Sequence, residues 1–506
     1  MIDSLLASLV GLVNTAAPLT VVVALTTAIL VFPLPQSAAR ARTAINLTGA
    51  LLKVAIVVSL IPPVIAGARP EWSMPFLPGI DLVFRVEPFS LYFSALSALL
   101  WLLTTIYAIG YLRGKPHQSR FFGFFSLCVT ATAGISFAGN LVTFLVFYEL
   151  LTLATYPLVA HWGTPKALDT ARLYLRYALT AGLTLLVGVV WLTLLAGPID
   201  FAEGGAEAVA RIAADSPATA VAIFVLLIGG LSVKAALVPV HGWLPKAMVA
   251  PAPVSALLHA VAVVKAGVFG VVRVIDDVYG VPVAQRLGVL TPLLVLAAIT
   301  ILYGSYQALR QSDLKARLAY STVSQVSYIT LGICLAHVTA TTGGLAHIVH
   351  QGVMKITLFF CAGLFAEVVG VTTIRGLAGV GRRMPLTSAA FTVGAFGMIG
   401  VPPTAGFVTK WYLGVGAVEA GQGWVVAVLM VSSLLNAAYF LPIVYLLWFV
   451  EPRKEFARGE TRAEAPLALL VPAVVTMVLT FVAGLAAGAD LSPLYLAHLI
   501  AQGVFS

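Results

Sequence analysis

Charge is scarce in this chain. Only 10% of its 506 residues are charged, while 60% are hydrophobic; a soluble domain carries about 25% charged residues. Nor is any polar stretch long enough to form a soluble domain between the apolar runs. Cysteine is equally sparse. Cys128, Cys334 and Cys361 lie far apart in apolar runs, without metal-ligand or disulfide spacing, and read as packing residues. With no cysteine cluster and no nucleotide-binding loop, the sequence calls for no cofactor of its own. The short alternating segments of a β-barrel are missing. The apolar start lacks the basic region of a cleaved signal, so the first run reads as a span. The net charge of +9 would suit nucleic acid, but the basic residues sit in short loops between apolar runs. That is membrane topology, with lipid rather than nucleic acid as the partner.

What the chain has in abundance is apolar runs of membrane-crossing length. They predict an all-α polytopic membrane protein of about fourteen transmembrane helices. The spans fall near 15–34, 44–67, 88–111, 120–138, 141–160, 168–196, 217–240, 252–275, 288–309, 316–337, 341–369, 387–416, 424–449 and 465–487. Loop charges test the count. Loops after odd spans carry Arg40 and Arg42; Arg113, Lys115 and Arg120; Lys166; Lys246; Arg310, Lys315 and Arg317; Arg375, Arg382 and Arg383; and Arg453, Lys454, Arg458 and Arg462. Loops after even spans carry only Arg69, Arg85, Arg211, Arg273 and Arg286, often beside acids. Basic loops stay cytoplasmic, which puts both termini on the outer face of a prokaryotic inner membrane. Lys53, read as lying near the cytoplasmic start of span two, is expected to snorkel to the interface.

Two spans contain helix breakers at mid-depth. Pro239 and Pro245 follow Lys234 in span seven; Pro402 and Pro403 precede Lys410 in span twelve. Proline removes a backbone donor, and non-helical backbone at membrane depth survives only inside protein or beside water. The breaks are five spans apart, and an odd displacement inverts orientation. This predicts two inverted five-helix repeats, spans 4–8 and 9–13. The expected divisions are 1–119, a three-helix segment; 120–275 and 288–449, the repeats; and 465–506, a final helix and tail.

Glu149, Lys234, Lys265, Lys355 and Lys410 all fall inside these spans. A charge at mid-bilayer costs roughly 2.5–3.5 kcal/mol on insertion scales, so such residues survive where they are paired or watered, typically to move ions or protons. Glu149, in FLVFYELLTLATYPL, is either a protonated structural acid or a carboxylate paired with a lysine of another helix. Lys234, in GGLSVKAALVPV, is too deep to snorkel, and a buried lysine can gain and lose a proton where arginine cannot. Lys265 follows His259 by six residues, about 9 Å of helical rise, which suits a water-bridged relay. His347 and His350 are one turn apart, with Lys355 five residues on. No third ligand lies close enough in sequence for a metal site, and imidazoles suit a proton relay. Trp411 and Tyr412 leave open the reading of Lys410 as an interfacial anchor. Glu367 is left unassigned, near the end of span eleven.

These segments carry a resemblance. VKAALVPVHGWLPKAMVAPAPVSALLHAVAVVKAGVFGVVR, with FYELL, SDLKARLAYSTVSQVSY and GVPPTAGFVTKW in order, resembles the antiporter-like membrane subunits. This family takes in chains L, M and N of respiratory complex I, the A-type and D-type subunits of Mrp sodium/proton antiporters, and membrane hydrogenase subunits. The resemblance implies a hydrated polar axis along the membrane midplane. Glu149 and Lys234 would be its ion pair, Lys265 its central lysine, Lys355 the next along the axis and Lys410 the terminal residue. His259, His347 and His350 would connect them. Two departures matter. Gln351 stands where many members have His, and Lys410 where chain M usually has Glu. The chain also ends soon after span fourteen, without the long lateral helix of chain L or the large extension of the A-type Mrp subunits. The resemblance is therefore nearest to the D-type Mrp subunits. It implies proton translocation in a multisubunit cation/proton antiporter, with other membrane subunits as partners and sodium as the exchanged ion. Alternatives are a pumping subunit of a complex I-like or hydrogenase assembly, a scaffold without flux, or a lone transporter of a small organic substrate.

Overall fold

The computed structural model of the chain describes residues 2–451 and 463–505. It is a bundle of long helices: α1 (Ile2–Val31), α2 (Ala39–Ser59), α3 (Pro88–Tyr111), α4 (Gln118–Phe137), α5 (Leu141–Val159), α6 (Pro165–Ala196), α7 (Pro217–Lys234), α8 (Ala252–Tyr279), α9 (Leu290–Leu309), α10 (Leu314–Cys334), α11 (Val338–Val369), the two pieces α12a (Pro385–Ile399) and α12b (Ala405–Glu419), α13 (Trp424–Phe449), α14 (Leu467–Leu485) and α15 (Pro493–Val504). Twelve helices among the described residues are long and apolar enough to cross a membrane. The other two expected spans correspond to α10, whose run of Ser, Thr and Gln lowers its hydropathy, and to α12, which is broken in two. The basic residues Arg453, Lys454, Arg458 and Arg462 lie outside the described residues.

Packing repeats along the chain. α4 packs on α5, α5 on α6 and α6 on α7; five helices later α9 packs on α10, α10 on α11 and α11 on α12b. α1, α2 and α3 flank the first set, with α1 against α4, while α14 and α15 lie against α11. The whole of α8 is buried, so it runs through the centre rather than along the lipid boundary.

The structure adds an element absent from the expected list. Glu71–Leu77 (β1) and Ile80–Arg85 (β2) form an antiparallel hairpin between α2 and α3. Its Pro78-Gly79 tip has Gly79 at φ 74°, a conformation glycine adopts without a Cβ penalty. Arg85 pins the hairpin to the loop after α6, donating to the Phe201 carbonyl at 2.6 Å and pairing with Glu71 at 2.6 Å. The tail is likewise a packed helix: Ser492 caps α15 by accepting from the Tyr495 N–H at 3.0 Å.

Two sequence expectations are corrected. Lys53 does not snorkel. α2 begins at Ala39, which places Lys53 fourteen residues and about 21 Å along it. The side chain is 0% exposed, donates to Ser97 Oγ at 3.1 Å and lies over the Trp101 ring. Arg273 is not a loop cation. α8 stays helical to Tyr279, through two π-helical stretches, and keeps Arg273 buried.

Candidate functional site

Both helix breaks are built the same way: a helix ends, its last carbonyls find side-chain donors, and a lysine stands at the end. α7 stops at Lys234. The Val233 carbonyl accepts from Trp243 Nε1 at 2.7 Å, and the Val238 N–H donates to Thr300 Oγ1 at 3.1 Å. α12a stops at Ile399, with Gly400 at φ 92°. There Lys410 Nζ donates to the carbonyls of Met398 at 3.1 Å and Ile399 at 2.7 Å, and to Ser433 Oγ at 2.9 Å. Lysine suits this position because helix C-termini leave carbonyls without partners and carry partial negative charge. α8 crosses the first break closely: a Cβ on Gly267 would overlap the backbone of Lys234 and Ala235.

Lys234 is fully buried. Its amine donates to the Tyr148 carbonyl and lies 3.3 Å from the Tyr148 ring centroid. Glu149, the next residue on α5, lies within its electrostatic reach, but no direct ion pair joins them. Glu149 Oε1 has no hydrogen-bond partner. The carboxylate rests over Gly182 of α6, where a Cβ would overlap it. The expected pair is thus a neighbouring couple, with the amine held by a backbone carbonyl.

Beyond the first break, Lys265 on α8 is 0% exposed and its Nζ has no hydrogen-bond partner. His259 is also without a hydrogen-bond partner and stacks on Phe359 at 4.5 Å. Lys355 on α11 donates to the Leu318 carbonyl at 3.2 Å and to Ser321 Oγ. Lys265 and Lys355 lie close enough for their charges to act on one another, and His347 lies within the fields of Lys265 and Lys410. Tyr328 joins the last steps, with the His347 ring 5.3 Å from its own and Lys410 Nζ 5.7 Å from its centroid. His350 Nδ1 bonds Thr409 Oγ1 at 2.8 Å, while its Nε2 has no partner.

Sequence reasoning missed part of this surround and noted Gln351 only as a departure from the family. Gln325 and Gln351 are fully buried and none of their amide atoms has a hydrogen-bond partner. Ser305, Ser324, Tyr328 and Ser432 form a hydroxyl cluster with contacts of 2.8 to 3.3 Å. The visible signal was the polar density of α10, too rich in Ser, Thr and Gln for an ordinary lipid-facing span. Glu367, left unassigned, pairs with Lys115 at 2.7 Å at the end of α11.

Buried amines, imidazoles and amides that lack protein partners are stable when water supplies them. Strung between two helix breaks, they form an arrangement in which protons can pass between lysines through water and imidazole.

Comparison with known proteins identifies the family. The family model described as NADH:quinone oxidoreductase/Mrp antiporter, transmembrane, matches residues 138–436. NADH-quinone oxidoreductase subunit N of Desulforudis audaxviator is 36% identical over 436 residues, covering 83% of this chain and 84% of that protein. A probable K(+)/H(+) antiporter A/B subunit of Rhizobium meliloti is 30% identical over 85% of this chain, which spans 43% of that longer protein. A chain of the Mrp complex from Dietzia sp. DQ12-45-1b superposes with a TM-score of 0.86 at 25% identity, covering 98% of this chain and 100% of that one. The chain belongs to the family of multi-pass membrane subunits shared by NADH:quinone oxidoreductases and Mrp antiporters.

Proposed function

We propose that the chain translocates protons along the line Glu149, Lys234, Lys265, Lys355 and Lys410, with His259, His347 and His350 as connectors. The observation that carries this reading is Lys265, a buried central amine without a protein partner, with the buried His347 imidazole within its field and the unpartnered His259 earlier on the same helix. When Lys234 loses the support of Glu149, its proton affinity falls and its proton moves toward Lys265. A protonated lysine disfavours protonation of the next, so a change at one end shifts charge along the line. The helix breaks admit water and allow local rearrangement.

The assembly we favour is an Mrp-type cation/proton antiporter, in which this chain takes the D-type position and protons are exchanged for sodium. It would sit in the inner membrane of a prokaryote, with both termini outside by loop charge. The likeness to the Dietzia Mrp complex over the full length of that chain supports it. A second reading, a pumping subunit of an NADH:quinone oxidoreductase, is favoured by the 36% identity to subunit N; any redox chemistry would then belong to partner subunits. Identifying the co-purifying subunits separates the two.

The test of the shared claim is Lys234→Ala, assayed for proton flux in vesicles at matched expression. Flux is lost while assembly persists if the line carries protons. Wild-type flux would reject the line, and loss of assembly instead of flux would favour a scaffold.

A further inference from the structure

The face that carries the hairpin holds charged groups that the transport line does not use. Arg273, 2% exposed at the end of α8, pairs with Glu87 at 2.6 Å and Asp277 at 2.7 Å, and donates to Ser90 Oγ at 2.7 Å. Its neighbour Asp276 is also 2% exposed, and Asp276 Oδ1 has no hydrogen-bond partner. Asp276 lines a cavity of about 120 Å³ whose other charged walls are Arg69, Glu87, Glu203, Arg273 and Asp277, closed over by α15. Cys334, at the end of α10, lies within the field of Asp276. Glu87 and Asp277 both lean on Arg273, and Glu203 faces Arg69 at 3.8 Å. Asp276 is the carboxylate left without a counter-ion of its own. Arg273 acts on it only through space, and a buried carboxylate without a direct partner is costly, a cost that binding a proton removes.

Beyond Arg273, which lines this cavity, a polar face runs down α3. Ser90, Ser94, Ser97 and Trp101 are spaced by four, three and four residues, which sets them on one side of the helix, and each is 0% exposed. The Ser90 end touches Arg273, and the Ser97 end touches Lys53. Ser94 Oγ and Trp101 Nε1 between and beyond them have no hydrogen-bond partner. Side chains so spaced stand about 5–6 Å apart, a gap that a single water bridges.

We propose that Asp276 is the proton-binding group of a port on the hairpin face, connected by the serine face of α3 to Lys53, apart from the Glu149–Lys410 line. In the transfer an N–H bond of the Lys53 ammonium breaks and an O–H bond forms on the Asp276 carboxylate, leaving a neutral amine and a neutral acid. The protonation itself does not depend on the transport reading, so it can be read on the full chain in lipid nanodiscs without flux.

The experiment is an infrared pH titration of the chain carrying carbon-13 aspartate. We expect a protonated aspartate carbonyl band that titrates reversibly and is lost in Asp276→Asn. Ser94→Ala changes no charge and is expected to slow hydrogen exchange at the Lys53 amine, followed by NMR on chain carrying nitrogen-15 lysine, several-fold with the aspartate band unchanged. No titrating aspartate band in the wild-type chain, or a band that survives Asp276→Asn, overturns the port. Unslowed exchange in Ser94→Ala overturns the connection.

Discussion

At the scale of single residues, the proposed line would trade stability for proton exchange. Lys265 is the clearest case, a buried amine for which the protein supplies no partner. Burying a polar group without a hydrogen bond costs about 1–3 kcal/mol by mutational measures. Lys265→Met keeps the length of the side chain and removes that cost. We expect it to raise the thermal midpoint of the detergent-solubilised chain while proton flux is lost; a lowered midpoint would mean the amine is well satisfied. Glu149→Gln is milder. The carboxylate acts on Lys234 through space rather than through a direct bond, so the expected effect is a flux reduced by about tenfold, equivalent to one pKa unit or 1.36 kcal/mol, measured as initial proton uptake. The five charges of the line, of which Lys234, Lys265 and Lys355 are fully buried and Glu149 and Lys410 half-buried, were legible in sequence because each interrupts an apolar run. Their partners were not. The Tyr148 carbonyl that holds Lys234 is a backbone atom of another helix, and no side-chain pattern marks it. Lys53 was misplaced for a related reason: the depth of a residue depends on where its helix starts, and the start of α2 lies at Ala39 rather than at the first strongly apolar residue.

At the scale of elements, the two breaks position the ends of the line. Trp243 holds the last turn of α7 through the Val233 carbonyl. Trp243→Phe keeps the ring packing and removes the donor, so that carbonyl is left buried and unpaired at a cost of about 1–3 kcal/mol. We expect a lower thermal midpoint together with weakened flux, since Lys234 is the next residue. The close crossing of α8 over α7 depends on Gly267. Gly267→Val inserts atoms where the α7 backbone lies, and overpacking of this kind costs about 1–3 kcal/mol. Reduced yield of folded chain on size-exclusion chromatography checks it. Proline made both breaks visible in sequence. The hairpin was harder to see, since both strands are short and the first is largely exposed, and only the Pro78-Gly79 pair marks a turn. α10 shows the converse: its Ser, Thr and Gln make it too polar for a hydropathy threshold, and the same residues line the polar interior.

At the scale of the whole molecule, the repeated packing order brings the two breaks into one interior, with the fully buried α8 between them. Periodicity and loop charge carry the outline of such a bundle because lipid forces every span to satisfy its own backbone. They do not carry lateral neighbours, which depend on shape and on small residues at helix crossings. This is why the acidic pocket beside Arg273 could not be read from RVIDDVYG alone: Glu87 and Ser90 come from a helix far away in sequence. The central claim is that protons themselves pass through the lysines, beyond any fixed charge. Proton flux in vesicles containing Lys234→Arg, at matched expression, tests it most directly, because arginine keeps the charge and cannot release the proton. The account predicts that flux is lost as it is in Lys234→Ala. Flux at the wild-type rate in Lys234→Arg would contradict it.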